Sequence, residues 1–112
     1  MARKNFSYDD YSDSLIVSNR QENEIVKNNF EVGNIIFSLT GKGKIVSIEI
    51  REFSSFLESC KLDSNIANKI NNIEFIVTPK KDTIFIILRI GFIENGVEIS
   101  KNIPLIMPLI SQ

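Results

Sequence analysis

The stretch GNIIFSLTGKGKIVSIEI, residues 33–50, decides the fold because two apolar runs flank a glycine-containing turn. Apolar residues recur with period two on each side of that turn: Ile35, Phe37 and Leu39 before it, and Val46, Ile48 and Ile50 after it. Period two is the spacing of a strand with one buried face. The sequence therefore predicts a two-stranded hairpin.

The turn itself, GKGK at residues 41–44, has the composition of a phosphate-binding loop. Such a loop leads into a helix, whose N-terminal amides hold the anion, whereas Lys44 leads into a predicted strand. The dinucleotide-binding fingerprint also fails, because Val46 occupies the position of its third glycine. We therefore predict a plain turn, in which Gly41 or Gly43 supplies a positive φ.

Further strands and helices are predicted on both sides of the hairpin. Apolar residues at 6–8 and 15–17 indicate two strands, separated by the turn-forming run Asp9-Asp10-Tyr11-Ser12-Asp13-Ser14. A helical stripe follows the hairpin at Phe53, Phe56, Leu57 and Cys60. Ser55 and Glu58 have the spacing of a capping box for that helix. A second short helix is expected to begin at Asp63 or Ser64 and to end at Asn71-Asn72.

The C-terminal part of the chain, residues 73–110, is predicted to form strands and an apolar tail. The run 84–90 is apolar on both faces, which is typical of a central strand or of a strand covered by a partner. Asn95-Gly96 is a strong hairpin signal. With 112 residues and no linker or repeat, residues 1–112 are predicted to form a single α+β domain, in which antiparallel β-hairpins pack against one or two short helices.

Charge and composition exclude several classes of partner. The chain has 13 Lys and Arg against 14 Asp and Glu, with no basic stripe, so we expect no nucleic-acid partner. The apolar tract 103–110 is broken by two prolines and is far shorter than a bilayer span, so we expect no membrane partner. A single cysteine and a polar N-terminus favour the cytoplasm.

Several short motifs together resemble the YuzE-like family of small uncharacterised prokaryotic proteins. The similarity runs over residues 6–57, from Tyr8-Asp9 and Asp13-Ser14-Leu15-Ile16-Val17, through the glycine turn, to Ile48-Glu49-Ile50. Ser47 stands where that family usually has glycine. The C-terminal hairpin with its proline-rich apolar tail looks like the longer archaeal members. The resemblance implies an α+β fold and no assigned activity, although some members are encoded beside toxin-like partners, as antitoxins are.

No residue of this chain is predicted to be catalytic, and no metal or cofactor is expected. The sequence has no histidine, which excludes Ser-His and Cys-His nucleophile pairs and imidazole metal sites within one subunit. Asp9, Asp10 and Asp13 could hold a hard divalent cation, but a turn ordered by its own aspartates is favoured. Cys60 is predicted to be a buried, inert thiol. Glu49 is predicted to be a solvated strand residue.

The leading hypothesis is a non-enzymatic protein-interaction module, which forms a homodimer through its C-terminal strands or binds another protein. One alternative is an antitoxin-like regulator, which would need basic residues gathered by dimerisation. Another is a small ligand-binding protein or hydrolase that uses Asp9, Asp13 and Glu49. That alternative requires the three carboxylates to converge in a pocket.

Overall fold

The N-terminal unit of the protein is built on a five-stranded antiparallel sheet. The computed structural model describes residues 5–108. They divide into two compact units, the first ending at Asn68 and the second beginning at Lys69. The strands of the first unit are β1 (Phe6–Asp9), β2 (Ser14–Ser18), β3 (Val26–Val32), β4 (Ile35–Thr40) and β5 (Ile45–Arg51). Their spatial order is β1-β2-β5-β4-β3. A helix, α1 (Phe53–Ser59), and a short 3₁₀ helix (Ser64–Asn68) follow.

The predicted hairpin at the centre of this sheet is confirmed. Phe37 of β4 pairs with Ile48 of β5, and both side chains are buried on the same face. In the connecting turn the Thr40 amide donates to the Lys44 carbonyl, and Gly43 has a φ of 83°. Lys44 Nζ lies 2.6 Å from Glu24 Oε2. The GKGK segment is therefore a strand-to-strand turn, as predicted, with one of its lysines in an ion pair.

Strand β3 was not predicted separately from the sequence. It pairs antiparallel with β4 and forms one edge of the sheet, and most of its side chains are exposed. Phe30 and Val32, which pair with Phe37 and Ile35, are half-buried on one face, but Asn28 and a β-bulge next to Val26 interrupt the apolar alternation that would reveal a strand. A further local signal is the short Gly33-Asn34 connection to β4, where Gly33 has a φ of 58°.

Two predictions about the helices are wrong in detail. Helix α1 begins at Phe53, two residues before the predicted Ser55 cap, and its N-cap position is Glu52, which makes no side-chain capping bond. The second helix is a single 3₁₀ segment, since the chain enters the next strand at Ile70. Asparagine-rich sequence favours turns over helix, and pairing of Ile70 with Phe92 extends the strand instead. Asp63 does accept from the Asn65 amide, as a capping residue would.

The C-terminal unit is a three-stranded antiparallel sheet in the order β6-β7-β8. Its strands are β6 (Ile70–Pro79), β7 (Thr83–Glu94) and β8 (Val97–Pro108). The predicted Asn95-Gly96 hairpin joins β7 to β8, and both turn residues have a positive φ. The doubly apolar run 84–90 lies in β7, the central strand, which confirms that prediction. Residues 109 and 110 of the predicted tail lie outside the described residues.

Alternation along these three strands separates a buried inner face from an outer face. Nine apolar side chains are buried on the inner face: Ile73, Phe75, Ile86, Leu88, Ile90, Phe92, Ile103, Leu105 and Met107. The outer face carries the intervening residues. Within residues 5–108, no helix has the length and apolar character needed to cross a bilayer.

Candidate functional site

The acidic turn between β1 and β2 is ordered by its own aspartates. Asp9 Oδ1 accepts from the Tyr11 amide at 3.0 Å, a bond that closes a local turn. Tyr11 is 98% exposed at the tip. Asp13, at the end of the turn, has a φ of 55°, a conformation that aspartate tolerates better than most residues. The turn is thus held by short-range bonds within the chain.

Asp13 holds the start of helix α1 against this turn. Its carboxylate accepts from the Tyr8 hydroxyl at 2.6 Å, the Ser54 hydroxyl at 2.9 Å and the Ser54 amide at 3.1 Å. Its carbonyl accepts from the Phe53 amide at 2.9 Å. The Tyr8 ring packs on the Phe53 ring at a centroid distance of 5.7 Å. Asp13 therefore provides acceptors for the first two amides of α1 from outside the helix, where the sequence had predicted a local capping box.

The network shifts the pKa values of both of its titratable groups. Burial by itself would raise the pKa of Asp13, but the bonds donated by Tyr8 and Ser54 favour the carboxylate and hold its pKa below the ordinary value of 3.8. Burial raises the pKa of the Tyr8 hydroxyl, and so does its bond to Asp13. The ionised aspartate with a neutral tyrosine is the stable combination across the neutral range.

Measuring the stability of the protein as a function of pH should reveal the contribution of the Asp13 carboxylate. The folded pKa of Asp13 is depressed, so its contribution is present above the unfolded value near 3.8 and is lost as the pH falls through the folded value. We expect the urea midpoint of the protein to fall below about pH 4 more steeply than that of an Asp13→Asn variant. Equal acid slopes for the two proteins would contradict a structural role for the charge.

The three carboxylates of the alternative enzyme hypothesis are not brought together. Asp13 points towards Tyr8 and Ser54, on the side of the sheet where α1 lies. Glu49 alternates with the buried Ile48 and Ile50 and so lies on the opposite face, where its carboxylate is 3.5 Å from Arg51 Nε. Asp9 folds back onto the turn. This arrangement offers no shared pocket for acid–base chemistry.

The cleft beside β1 and β2 and the thiol of Cys60 do not form a reactive site with these carboxylates. A cleft of about 600 Å³ is lined mainly by polar side chains of β1, β2 and the following loop, and Asp9, Asp13 and Glu49 are not among them. No group of three or more metal-ligating side chains occurs within the described residues. Cys60 is only partly buried, at the C-cap of α1, because the helix ends before its apolar stripe is complete. The prediction of a buried thiol is therefore wrong, and its inertness stays a prediction.

The outer face of the C-terminal sheet carries an exposed group of apolar side chains at the end nearest the β6–β7 turn. Antiparallel pairing sets them in two cross-strand rows, which we call the apolar rows. One row is Thr78-Phe85-Ile106, and the other is Ile76-Ile87-Pro104. Ile76, Phe85 and Ile106 are 45%, 37% and 52% exposed. Contiguous exposed apolar side chains on a flat sheet face are typical of contact surfaces.

A charged but internally neutral row borders the apolar rows. Arg89, at the centre of this row, donates to Glu74 on β6 at 3.0 Å and to Asn102 on β8 at 3.1 Å. We call Glu74-Arg89-Asn102 the arginine row. The guanidinium is thus held across all three strands by its neighbours. The outer face therefore presents apolar surface at one end and paired polar groups beside it.

Sequence reasoning found this segment, but it could not identify the contact surface. The run 84–90 is apolar on both faces, and only the strand register shows which half of those residues faces outward and which neighbours join them. Ile76 lies nine residues from Phe85 and Ile106 lies 21 beyond it, so no local pattern links the three. No family model, curated protein or solved structure matches this chain.

Proposed function

We propose that this protein is a non-enzymatic interaction module that forms a homodimer through the outer face of its C-terminal sheet. The observation that carries the proposal is the pair of apolar rows, which leave three large side chains about half exposed on one face of the sheet. Covering that surface removes apolar area from water and so favours association.

The small net charge around the apolar rows favours a second copy of the chain as the binding partner. In an isologous contact the same patch lies on both sides, so any net charge on the patch would be repelled by the same charge on the second copy. Here Arg89 is the charged group nearest the apolar rows on β7, and Glu74 neutralises it on the same face. The apolar rows and the Arg89–Glu74 pair beside them therefore carry no net charge, while Lys80 lies beyond them at the turn end, where its amide donates to Thr83. A surface with so little net charge suits self-association better than binding to a strongly charged protein.

The face suits association better than the nearby sheet edge does. Pro104 lies in β8, which is an edge strand of this sheet. A proline within an edge strand directs its nitrogen away from the neighbouring strand and removes a donor from the outer edge. Strand addition along β8 is therefore hindered, whereas packing across the face needs no backbone donor.

The expected dimer is weak. With strands about 4.8 Å apart and residues rising about 3.4 Å, the apolar rows and one flanking row at each end cover about 400 Å² per copy. The two copies together would then bury less than the roughly 1,200 Å² at which standard interfaces begin. We expect a dimer that dissociates on dilution and that partner proteins could displace.

Light scattering over a concentration series tests the proposal. We expect the average mass to rise from that of a monomer towards that of a dimer, and Ile76→Ser to weaken the association at least about tenfold. The control is Ile16→Ser, since Ile16 is 43% exposed on the N-terminal sheet and Ile76 is 45% exposed on the outer face. A parent protein that stays monomeric at every concentration, or equal weakening by both variants, would reject the proposed surface.

The other functions inferred from the sequence stay predictions. These are an antitoxin-like regulator, and a ligand-binding protein or hydrolase that uses Asp9, Asp13 and Glu49. The YuzE-like resemblance and a cytoplasmic location are also predictions. The homodimer is preferred because it rests on side chains that lie together on one face.

A further inference from the structure

Resting on the proposed homodimer, we infer that its two copies pack with their strands antiparallel, about a two-fold axis that crosses β7 between Phe85 and Ile87. Two sheets that pack face to face through the same surface can be related in two simple ways. The axis can run along the strands, in which case each row packs against the same row of the second copy. It can also run across the strands, in which case rows on one side of the axis pack against rows from the other side. The distribution of side chains along the outer face decides between these.

An axis along the strands would set unfavourable groups against each other. Every β7 residue on the outer face would lie over itself, so Arg89 of one copy would face Arg89 of the other. Two guanidinium groups held in fixed positions would then repel each other in a partly desolvated contact. The contact would also cover the polar side chains of Asn72 and Ser100, which flank Gly91 in the next row. Burying polar groups without new partners is costly.

An axis across the strands avoids both costs. Placed between the two apolar rows, it sets Phe85 of each copy over Ile87 of the other, and Ile106 over Pro104. Each apolar row is then covered by the other, so the exposed side chains of the apolar rows of both copies meet within one contact. The arginine row moves to the rim, opposite the turn end of the second copy. The rows farther along β7, which carry Asn72 and Ser100 and then the exposed Ile93, remain in solvent.

Packing about an axis across the strands also leaves a cleft on the outer face open. This cleft has a volume of about 310 Å³ and lies over Gly91, beside Asn71, Asn72 and Ser100. A β-carbon at Gly91 would lie 3.4 Å from the Asn71 side chain and from the Asn72 carbonyl, so the floor of the cleft is shaped by this glycine. With an axis along the strands the second copy would cover the cleft, whereas with an axis across them it remains accessible.

Distances between spin labels in the dimer distinguish the two axes. Ile93→Cys and Ser100→Cys, each in a Cys60→Ser background, place labels at two heights on the outer face, seven and five residues from the proposed axis. At about 3.4 Å per residue, the labels of the two copies should be about 48 Å and 34 Å apart. The difference of about 14 Å does not depend on label length. An axis along the strands predicts nearly equal separations, each under about 20 Å.

Each outcome of the pulsed dipolar measurement decides the inference. Two long distances that differ as expected support the antiparallel packing. Short or equal distances in a protein that light scattering shows to be dimeric overturn the packing and leave the proposed function standing. Loss of dimerisation on labelling either position also overturns the packing, because both positions lie outside the inferred contact. An unlabelled Cys60→Ser protein that is monomeric at the same concentration rejects the proposed dimer itself.

Discussion

Asp13→Ala is expected to lower the free energy of unfolding by about 2–4 kcal/mol, because it removes the cap of α1 and two hydroxyl bonds at once. The wild-type carboxylate accepts from Tyr8 and from both the amide and the hydroxyl of Ser54. Without it, the Ser54 amide at the start of the helix loses its acceptor. Alanine also fits the φ of 55° at this position less well than aspartate does. Urea denaturation followed by circular dichroism measures the change.

Two variants separate the causes of this loss. Asp9→Ala removes a single exposed bond to the Tyr11 amide and should cost less than about 1 kcal/mol. Asp13→Gly removes the same carboxylate as Asp13→Ala but accepts a positive φ freely, so the difference between the two reports the backbone contribution. If Asp13→Ala were no more destabilising than Asp9→Ala, the cap would contribute little and the network would have to be regarded as incidental.

The sequence was sufficient to predict those elements in which apolar residues recur at regular spacing along the chain. The hairpin of residues 35–50 alternates apolar and polar side chains because one face of its sheet is covered. Strand β7 was predicted to be a central strand, or a strand covered by a partner, because both of its faces are apolar. The structure separates these two faces: the side of Ile86 is buried within the protein, whereas the side of Phe85 is partly exposed. The same apolar run thus serves both the core and the proposed contact.

Features that depend on distant residues could not be predicted. Ser54, which Asp13 caps, is 41 positions away along the chain, so the spacing of Ser55 and Glu58 indicated a local cap that the helix does not use. The apolar rows join residues from three strands in a register that only the folded sheet defines. Asp13 lies in the turn before β2 and Glu49 lies in β5, and the sequence did not show that their carboxylates are on opposite faces of the sheet.

Ile87→Asp is expected to abolish self-association while leaving the protein folded. Ile87 lies on the outer face between Ile76 and Pro104, next to the inferred two-fold axis. In the dimer, a carboxylate from each copy would be covered by apolar side chains, and an unpaired buried charge costs several kcal/mol. In the monomer the new carboxylate would remain in contact with water, and Arg89, two residues along on the same face, could pair with it. The cost to folding should therefore be modest, about 1–2 kcal/mol from lost strand propensity and packing.

Ile93→Asp is the matched control for this effect on self-association. It makes the same change in the same strand and on the same face, but outside the inferred contact, so the dimer should persist. Its cost to folding includes repulsion from Glu98, which lies opposite position 93 on β8. Light scattering gives the association of both variants, and urea denaturation gives their stability. A folded Ile87→Asp protein that associates as strongly as the parent would refute the contact surface. Loss of the dimer in both variants would instead extend the contact along the whole of β7, as an axis along the strands requires.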